Sequence, residues 1–234
     1  MDSSQQSQNL LLTSLPAADF DLLRSNLQTI DMPRGLLLVR SGDIPKKAYF
    51  PKSGVIASCV TLGDGSFIEV RITGREGALG ATIGGGERPS FTSALVRLEG
   101  QTYTIDYPCL ERAISRSAAL RAVLARHEAV QQAMSDQSVA CNVAHVTEAR
   151  LARRLMRLYA MSGQTSFVAT QEVLAEMLGI RRNAVSLVAH AMQEANLIRY
   201  SRGRLEIVDL DGLQRRACEC YGAVTAFRDK VEVD

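Results

Sequence analysis

Few side chains in this chain of 234 residues could do chemistry, and their spacing narrows what that chemistry is. There are three histidines, His127, His145 and His190, and five cysteines, Cys59, Cys109, Cys141, Cys218 and Cys220. No histidine precedes residue 127, so a metal centre built on clustered imidazoles has no ligands in the first half of the chain. The cysteines are odd in number and lack any CxxC spacing, which reads as reduced thiols. Residues two apart on a helix point in different directions, so Cys218 and Cys220 are expected as a free pair and not as a disulfide. A redox role for them or for Cys141 is left open. His127 and His145 read first as satisfied structural histidines, with pH sensing or metal binding as the sharper alternative. The expectation at this level is no metal site and no catalytic residue.

The basic residues are more telling. Lys plus Arg number 27 against 25 Asp plus Glu, a formal charge of +2, and only Lys46, Lys47, Lys52 and Lys230 are lysines. Arginine presents a planar fork to phosphates and guanine edges that lysine lacks, although high-GC codon usage produces the same bias. The charge is also uneven. Between residues 147 and 204 stand nine arginines (150, 153, 154, 157, 181, 182, 199, 202, 204) and four glutamates (148, 172, 176, 194), a local +5. That favours a nucleic-acid surface in this segment, against the alternative of solvated arginines. With 46% hydrophobic residues there is material for one large or two modest domains. The opening residues are polar and no apolar run approaches a membrane span, so the expectation is a cytoplasmic protein with no membrane association.

Three textures follow along the chain. A short helix opens near Leu15-Pro16, with Phe20, Leu23 and Leu27 at helical spacing, and Pro33-Arg34-Gly35 is expected to break it. Short β-like runs follow at Leu36–Arg40, Ala48–Phe50, Val55–Leu62, Phe67–Thr73, Ser93–Leu98 and Gln101–Asp106, split by turn residues and a glycine-rich stretch near 74–90. Such spacing predicts an antiparallel barrel or double-sheet roll. Residues 117–146 contain neither Pro nor Gly and predict one long helix. Along it Val123, His127, Val130, Met134, Gln137, Cys141 and Ala144 alternate by four and three. That heptad spacing fits a seam with a second copy, or a face that covers the barrel. Gln137, Ser138 and Asn142 share this helix and could reach an effector or specify register.

The last texture carries the interface. An Arg-rich helix over roughly 148–161 is followed by a short amphipathic helix from Thr170, a turn at Gly179, and a second helix with apolar Val185, Val188 and Met192. This is helix-turn-helix spacing, with Arg182, Asn183 and Ser186 near the start of the second helix. Residues 196–200 and 205–208 flank Ser201-Arg202-Gly203-Arg204, a hairpin with a basic tip. Together they make a winged helix. The fold class is α+β, divided into a β-roll over 10–116, a dimerisation helix over 117–146 and a winged helix-turn-helix over 147–234. The apolar stripe Leu213, Ala217, Tyr221, Val224, Phe227 and Val231 is expected to pack on its own domain or on the barrel.

Taken in that order, the chain from about Leu10 to Tyr221 resembles the Crp/Fnr family of bacterial transcription regulators. The match is closest over Thr170–Ile207, in Thr-Gln-Glu-x-Leu-Ala-x-x-Leu-Gly and Leu-Ile-x-Tyr-x-Arg-Gly-x-Leu. The resemblance implies a homodimer on a palindromic DNA site, with RNA polymerase as a further contact. By position it implies that Arg182, Asn183 and Ser186 read bases, and that Thr170, Arg181 and His190 touch the DNA backbone. Arg202 and Arg204 of the wing join the backbone set. Arg182 suits guanine O6 and N7, and Asn183 suits adenine, each worth ~1–3 kcal/mol of discrimination. Asn183 stands where many members carry Glu, and Leu187 where cyclic-AMP receptors carry another Arg, so the recognised sequence should differ from theirs.

In the sensing half the chain departs from the cyclic-nucleotide binders it resembles. Their phosphate cassette aligns with Gly77–Ser90, with Arg88 at the spacing of the phosphate-binding arginine. Ala78 replaces the ribose-gripping Glu, and Pro89 removes both a hydroxyl and a backbone N–H. Cyclic AMP is therefore not the expected effector. An effector pocket, if used, would draw on Arg88, Ser90, Gln137 and Ser138, and its occupant is unknown. The iron–sulfur cluster of the oxygen-sensing branch is not expected, because no cysteine precedes Cys59. A barrel without histidine also excludes cupin-like metal enzymes and His-ligated haem there. The competing reading is a cyclic-nucleotide-type sensor whose winged helix contacts protein, and the Arg-rich winged helix favours DNA over it.

Overall fold

The structure is a computed structural model and describes residues 9–82 and 84–233. The described residues divide into two compact units, one from 9–59 with 71–131 and the other from 60–70 with 132–233.

The first unit opens with α1 (Leu10–Thr13), whose N-cap Asn9 accepts from Leu12 N while its amide donates to the carbonyls of Pro51 and Gly77. Next is α2 (Ala17–Arg24), which ends earlier than its apolar spacing predicts. Gln28–Met32 is a strand, β1, and not the tail of a helix. Thr29 and Ile30 are β-branched and prefer the pleated backbone, where the whole segment pairs antiparallel with a later strand. The expected runs form β2 (Leu37–Val39), β3 (Lys47–Pro51), β4 (Val55–Thr61), β5 (Phe67–Thr73), β6 (Ser93–Leu98) and β7 (Gly100–Asp106), close to the predicted bounds. Two sheets result, ordered β1-β7-β3 and β2-β6-β4-β5. A core that includes Leu12, Leu23, Phe50, Ile105, Leu110 and Leu124 packs helices, α3 (Tyr107–Arg116) among them, against β3 and β7, and a smaller cluster of Met32, Ile56, Ala94 and Val96 draws on both sheets. The antiparallel roll stands as expected.

Helix α4 (Ala118–Ala144) runs from the first unit into the second. Its heptad positions Val123, Val130, Met134 and Cys141 are buried. The face left open is a different one: Val139 and Val143 are 67% and 87% exposed, and Val146, just past the helix, is 73% exposed. The expected seam is therefore the inward face. Heptad spacing records that one side is apolar and does not say what covers it.

In the second unit α5 (Thr147–Ser162), β8 (Ser166–Val168), α6 (Gln171–Leu178), α7 (Arg182–Glu194), β9 (Ile198–Ser201), β10 (Arg204–Ile207) and α8 (Leu210–Arg216) surround Leu151, Leu155, Leu174, Val185, Met192, Leu205 and Leu213. The strands order as β8-β10-β9, all antiparallel. Last comes α9 (Cys220–Val233), along which Val224 and Phe227 stay partly exposed. One expectation about charge changes here. The arginines of α5 do not form a basic outer face: Arg153 and Arg154 are buried, and Arg150 and Arg157 are half-buried. Arg150 donates to the carbonyl of Leu178, closing the C-terminal end of α6. Arg154 lies 3.6 Å from Glu69 of the 60–70 segment and donates to its carbonyl. Sequence counts all nine arginines of 147–204 alike, whereas α5 spends four of its arginines on its own packing.

Candidate nucleic-acid interface

Helix α6 is set by Thr170, whose hydroxyl accepts from Val173 N at the N-cap, and it stops at Gly179 in the left-handed region, φ +61°. That Gly turns the chain sharply into α7, with Arg181 at the N-cap and Arg182 as the first helical residue. Val185, Ala189 and Met192 face the core, so the opposite side is fixed in turn. Arg181, Arg182, Asn183, Ser186, Leu187 and His190 are all exposed there. The N-terminal end of α7 thus carries two exposed guanidinium groups, an arrangement suited to a phosphate beside exposed polar side chains.

These side chains are held in place. Gln171 of α6 donates 2.8 Å to Ser186 Oγ and accepts from Arg182 Nε at 3.5 Å. Gln171 therefore bridges the two predicted reading residues, a positioning role the sequence reading missed although it sits beside Thr170. His190 lies 3.3 Å from Glu194 one turn on. Leu187, 74% exposed, is the large apolar side chain among these polar ones. In a major groove it is suited to a thymine methyl.

The wing is β9 and β10 joined by Arg202-Gly203, with φ +50° and +74°, the signature of a tight two-residue hairpin turn. Arg202 and Arg204 are exposed, and Arg204 reaches Ser166 Oγ at 3.5 Å. Arg199 is occupied by Glu206 at 2.7 Å. The exposed basic set reduces to Arg181, Arg182, Arg202 and Arg204, all in the helix start and the wing.

The four residues expected at an effector pocket fare differently. Arg88 is exposed just after a 3-10 turn at Gly85–Glu87. Ser90 is spent on local structure: its hydroxyl donates to Thr92 O, its N–H to Asp43 O, and its carbonyl accepts from Gly42 N. Ser138 donates to Met134 O on its own helix, and Gln137 donates 2.9 Å to Cys220 Sγ. Gly77, Gly80 and Gly86 of the cassette are packing glycines, whereas Gly84 is a turn glycine with φ +69° and open space around it. A Cβ on Gly77 would sit 2.7 Å from His127 Cε1, and one on Gly86 2.8 Å from Tyr107 Cβ. The Tyr107 hydroxyl donates to Gly80 O; burial, with Tyr49 and Glu111 nearby, pushes its pKa up to about 12. His127 Nε2 meets Ala78 O at 3.1 Å, and burial holds its pKa below the ordinary value. His127 is a satisfied structural histidine.

With this geometry in view, residues 149–216 match the family model described as a Crp-like helix-turn-helix domain. The chain has the Crp/Fnr fold. A Crp/Fnr-family regulator from Eubacterium rectale is 17% identical, covering 90% of this chain and 99% of its own, with a TM-score of 0.70. TTHB099, a CRP-family transcriptional regulator from Thermus thermophilus, is 20% identical over 80% of this chain and 96% of its own, TM-score 0.67. The c-di-GMP-responsive global regulator CLP from Xanthomonas campestris is 15% identical over 83% and 100%, TM-score 0.66. No protein of curated function matches the sequence. The Crp-like domain spans α5 to α8, the elements that carry and support the exposed face just described. Among the described residues no helix is long and apolar enough to cross a membrane.

Proposed function

We propose that this protein is a transcription regulator of Crp/Fnr type that binds a palindromic DNA site as a homodimer through the winged helix of each copy. The observation that carries the reading is the exposed N-terminal half of α7, where Arg182, Asn183, Ser186 and Leu187 share the face opposite Val185, Ala189 and Met192. On this reading Arg182, Asn183 and Ser186 read bases, and Thr170, Arg181, His190, Arg202 and Arg204 hold the backbone. The open valine face of α4 supports pairing with a second copy, and the resemblance adds RNA polymerase as a contact. No catalytic role is assigned to any residue.

The roll is the sensing half of such a regulator. Ala78 in place of a carboxylate, and glycines closed over by Tyr107 and His127, argue against cyclic AMP there. The c-di-GMP response of CLP belongs to that protein, and nothing at Arg88 or Ser90 selects that ligand.

The test is selection of bound duplexes from a random pool by the wild-type chain, Arg182→Ala and Arg202→Gly. The wild type enriches a two-fold symmetric sequence. Arg182→Ala loses preference at one base pair per half-site by about 1–3 kcal/mol. Arg202→Gly accepts the left-handed turn without strain and weakens all duplexes alike. Absence of an enriched sequence, or the same loss of preference from both variants, contradicts the reading.

A further inference from the structure

Three cysteines and a histidine converge in the second unit, at a place that the DNA interface does not use. Cys141 lies in the last turn of α4 and His145 directly follows it, its N–H donating 3.1 Å to Cys141 O, so the helical spacing carries on to His145 and both point to one side. Cys218 and Cys220 do not lie within one helix, as the sequence spacing implied. Cys218 falls between α8 and α9, and Cys220 is the first residue of α9, so both thiols turn inward. The four donor atoms, Sγ of Cys141, Cys218 and Cys220 and a ring nitrogen of His145, all lie within 4.8 Å of one another.

The distances fit a single ion. A tetrahedral site with Zn–S of about 2.3 Å and Zn–N of about 2.0–2.1 Å has edges of roughly 3.8 Å between sulfurs and roughly 3.6 Å between sulfur and nitrogen. Here Cys141 Sγ and Cys218 Sγ are 3.5 Å apart, and Cys220 Sγ and His145 Nδ1 are 3.6 Å apart. The first pair is well beyond a disulfide bond of about 2.05 Å. A dithiol couple would also leave the third cysteine and the histidine without a role.

The surroundings are those of a ligated site. With His145 Nδ1 turned to the cluster, its Nε2 lies 3.0 Å from Glu219 Oε1, the carboxylate–histidine arrangement that fixes the tautomer and raises ligand basicity. Gln137 donates 2.9 Å to Cys220 Sγ, as an amide does to a thiolate. Three thiolates and a neutral imidazole around a divalent ion leave one net negative charge. Arg153, buried and acting electrostatically on Cys141, opposes it, and its Nε has no hydrogen-bond partner among the described residues.

We propose that Cys141, His145, Cys218 and Cys220 bind one thiophilic divalent cation of the zinc class. All four positions are filled by protein, so the site is closed and structural, and clips the end of α4 to the α8–α9 junction. Fully reduced, metal-stripped chain is titrated with Co2+. One Co2+ per chain should give intense thiolate-to-cobalt charge transfer and the strong visible bands of tetrahedral cobalt, which Zn2+ then displaces. Cys220→Ser should abolish that spectrum while Cys109→Ser keeps it. Glu219→Gln, on an exposed side chain, should bind Co2+ roughly 10–100-fold more weakly. Where a cysteine variant fails to fold, X-ray absorption of the Zn2+-loaded wild type decides, with three sulfurs and one nitrogen expected around zinc. A weak octahedral cobalt spectrum, oxygen-dominated zinc coordination, or a multi-iron cluster formed on the same residues by iron and sulfide would overturn the proposal.

Discussion

Arginine's meaning in this chain depends on where each side chain ends. Four of the nine in the basic segment belong to α5 and turn into their own unit, while Arg181, Arg182, Arg202 and Arg204 stay at the surface. His127 makes a comparable point for the roll. Burial, reinforced by Arg71 and partly offset by the bond to Ala78 O, lowers its pKa below 6.5, so the fold holds it neutral. The unfolded chain takes up the proton near the ordinary value, so this stabilisation is present above about pH 6.5 and is lost as pH falls through it. Urea unfolding followed from about pH 7.5 to about pH 5.5 should show a loss of stability that His127→Gln reduces, and identical pH dependence of the two would contradict it. The placement of Arg182, Asn183 and Ser186 on the exposed start of α7 was legible because a helix-turn-helix is local in sequence. The Cys–His cluster was not: Cys141 and Cys218 are 77 residues apart, and the turn before α9 hides the convergence of Cys218 and Cys220.

Among the elements, the strands of the roll were legible almost to the residue, because glycine and proline punctuate β-like runs throughout it. β1 was not, since a five-residue edge strand leading into Pro33 gives little alternation to read and its pairing with β7 lies about 70 residues away. The length of α4 was plain from the absence of Pro and Gly, whereas its outward face needed the packed units to be seen. Val139 and Val143 mark that face, and burial of a valine is worth roughly 1.5–3 kcal/mol. A Val139→Glu, Val143→Glu double variant should therefore weaken self-association by at least about a hundredfold. Light scattering should then report a monomer at concentrations where the wild type is a dimer. A dimer of unchanged affinity would place the interface elsewhere.

At the scale of the whole molecule, a charge of +2 averages over a basic surface of a few residues at the start of α7 and in the wing. The account rests on that surface engaging phosphates on either side of a symmetric site. The most direct measurement is the affinity of the full-length chain for its selected palindrome and for a scrambled duplex, across a series of salt concentrations. Each phosphate neutralised contributes ~0.9 to the slope of log affinity against log salt, so a steep linear fall is expected for both duplexes. The palindrome should bind about a thousandfold or more tightly throughout. Binding that ignores salt, or equal affinity for the two duplexes, would contradict DNA recognition by the winged helix.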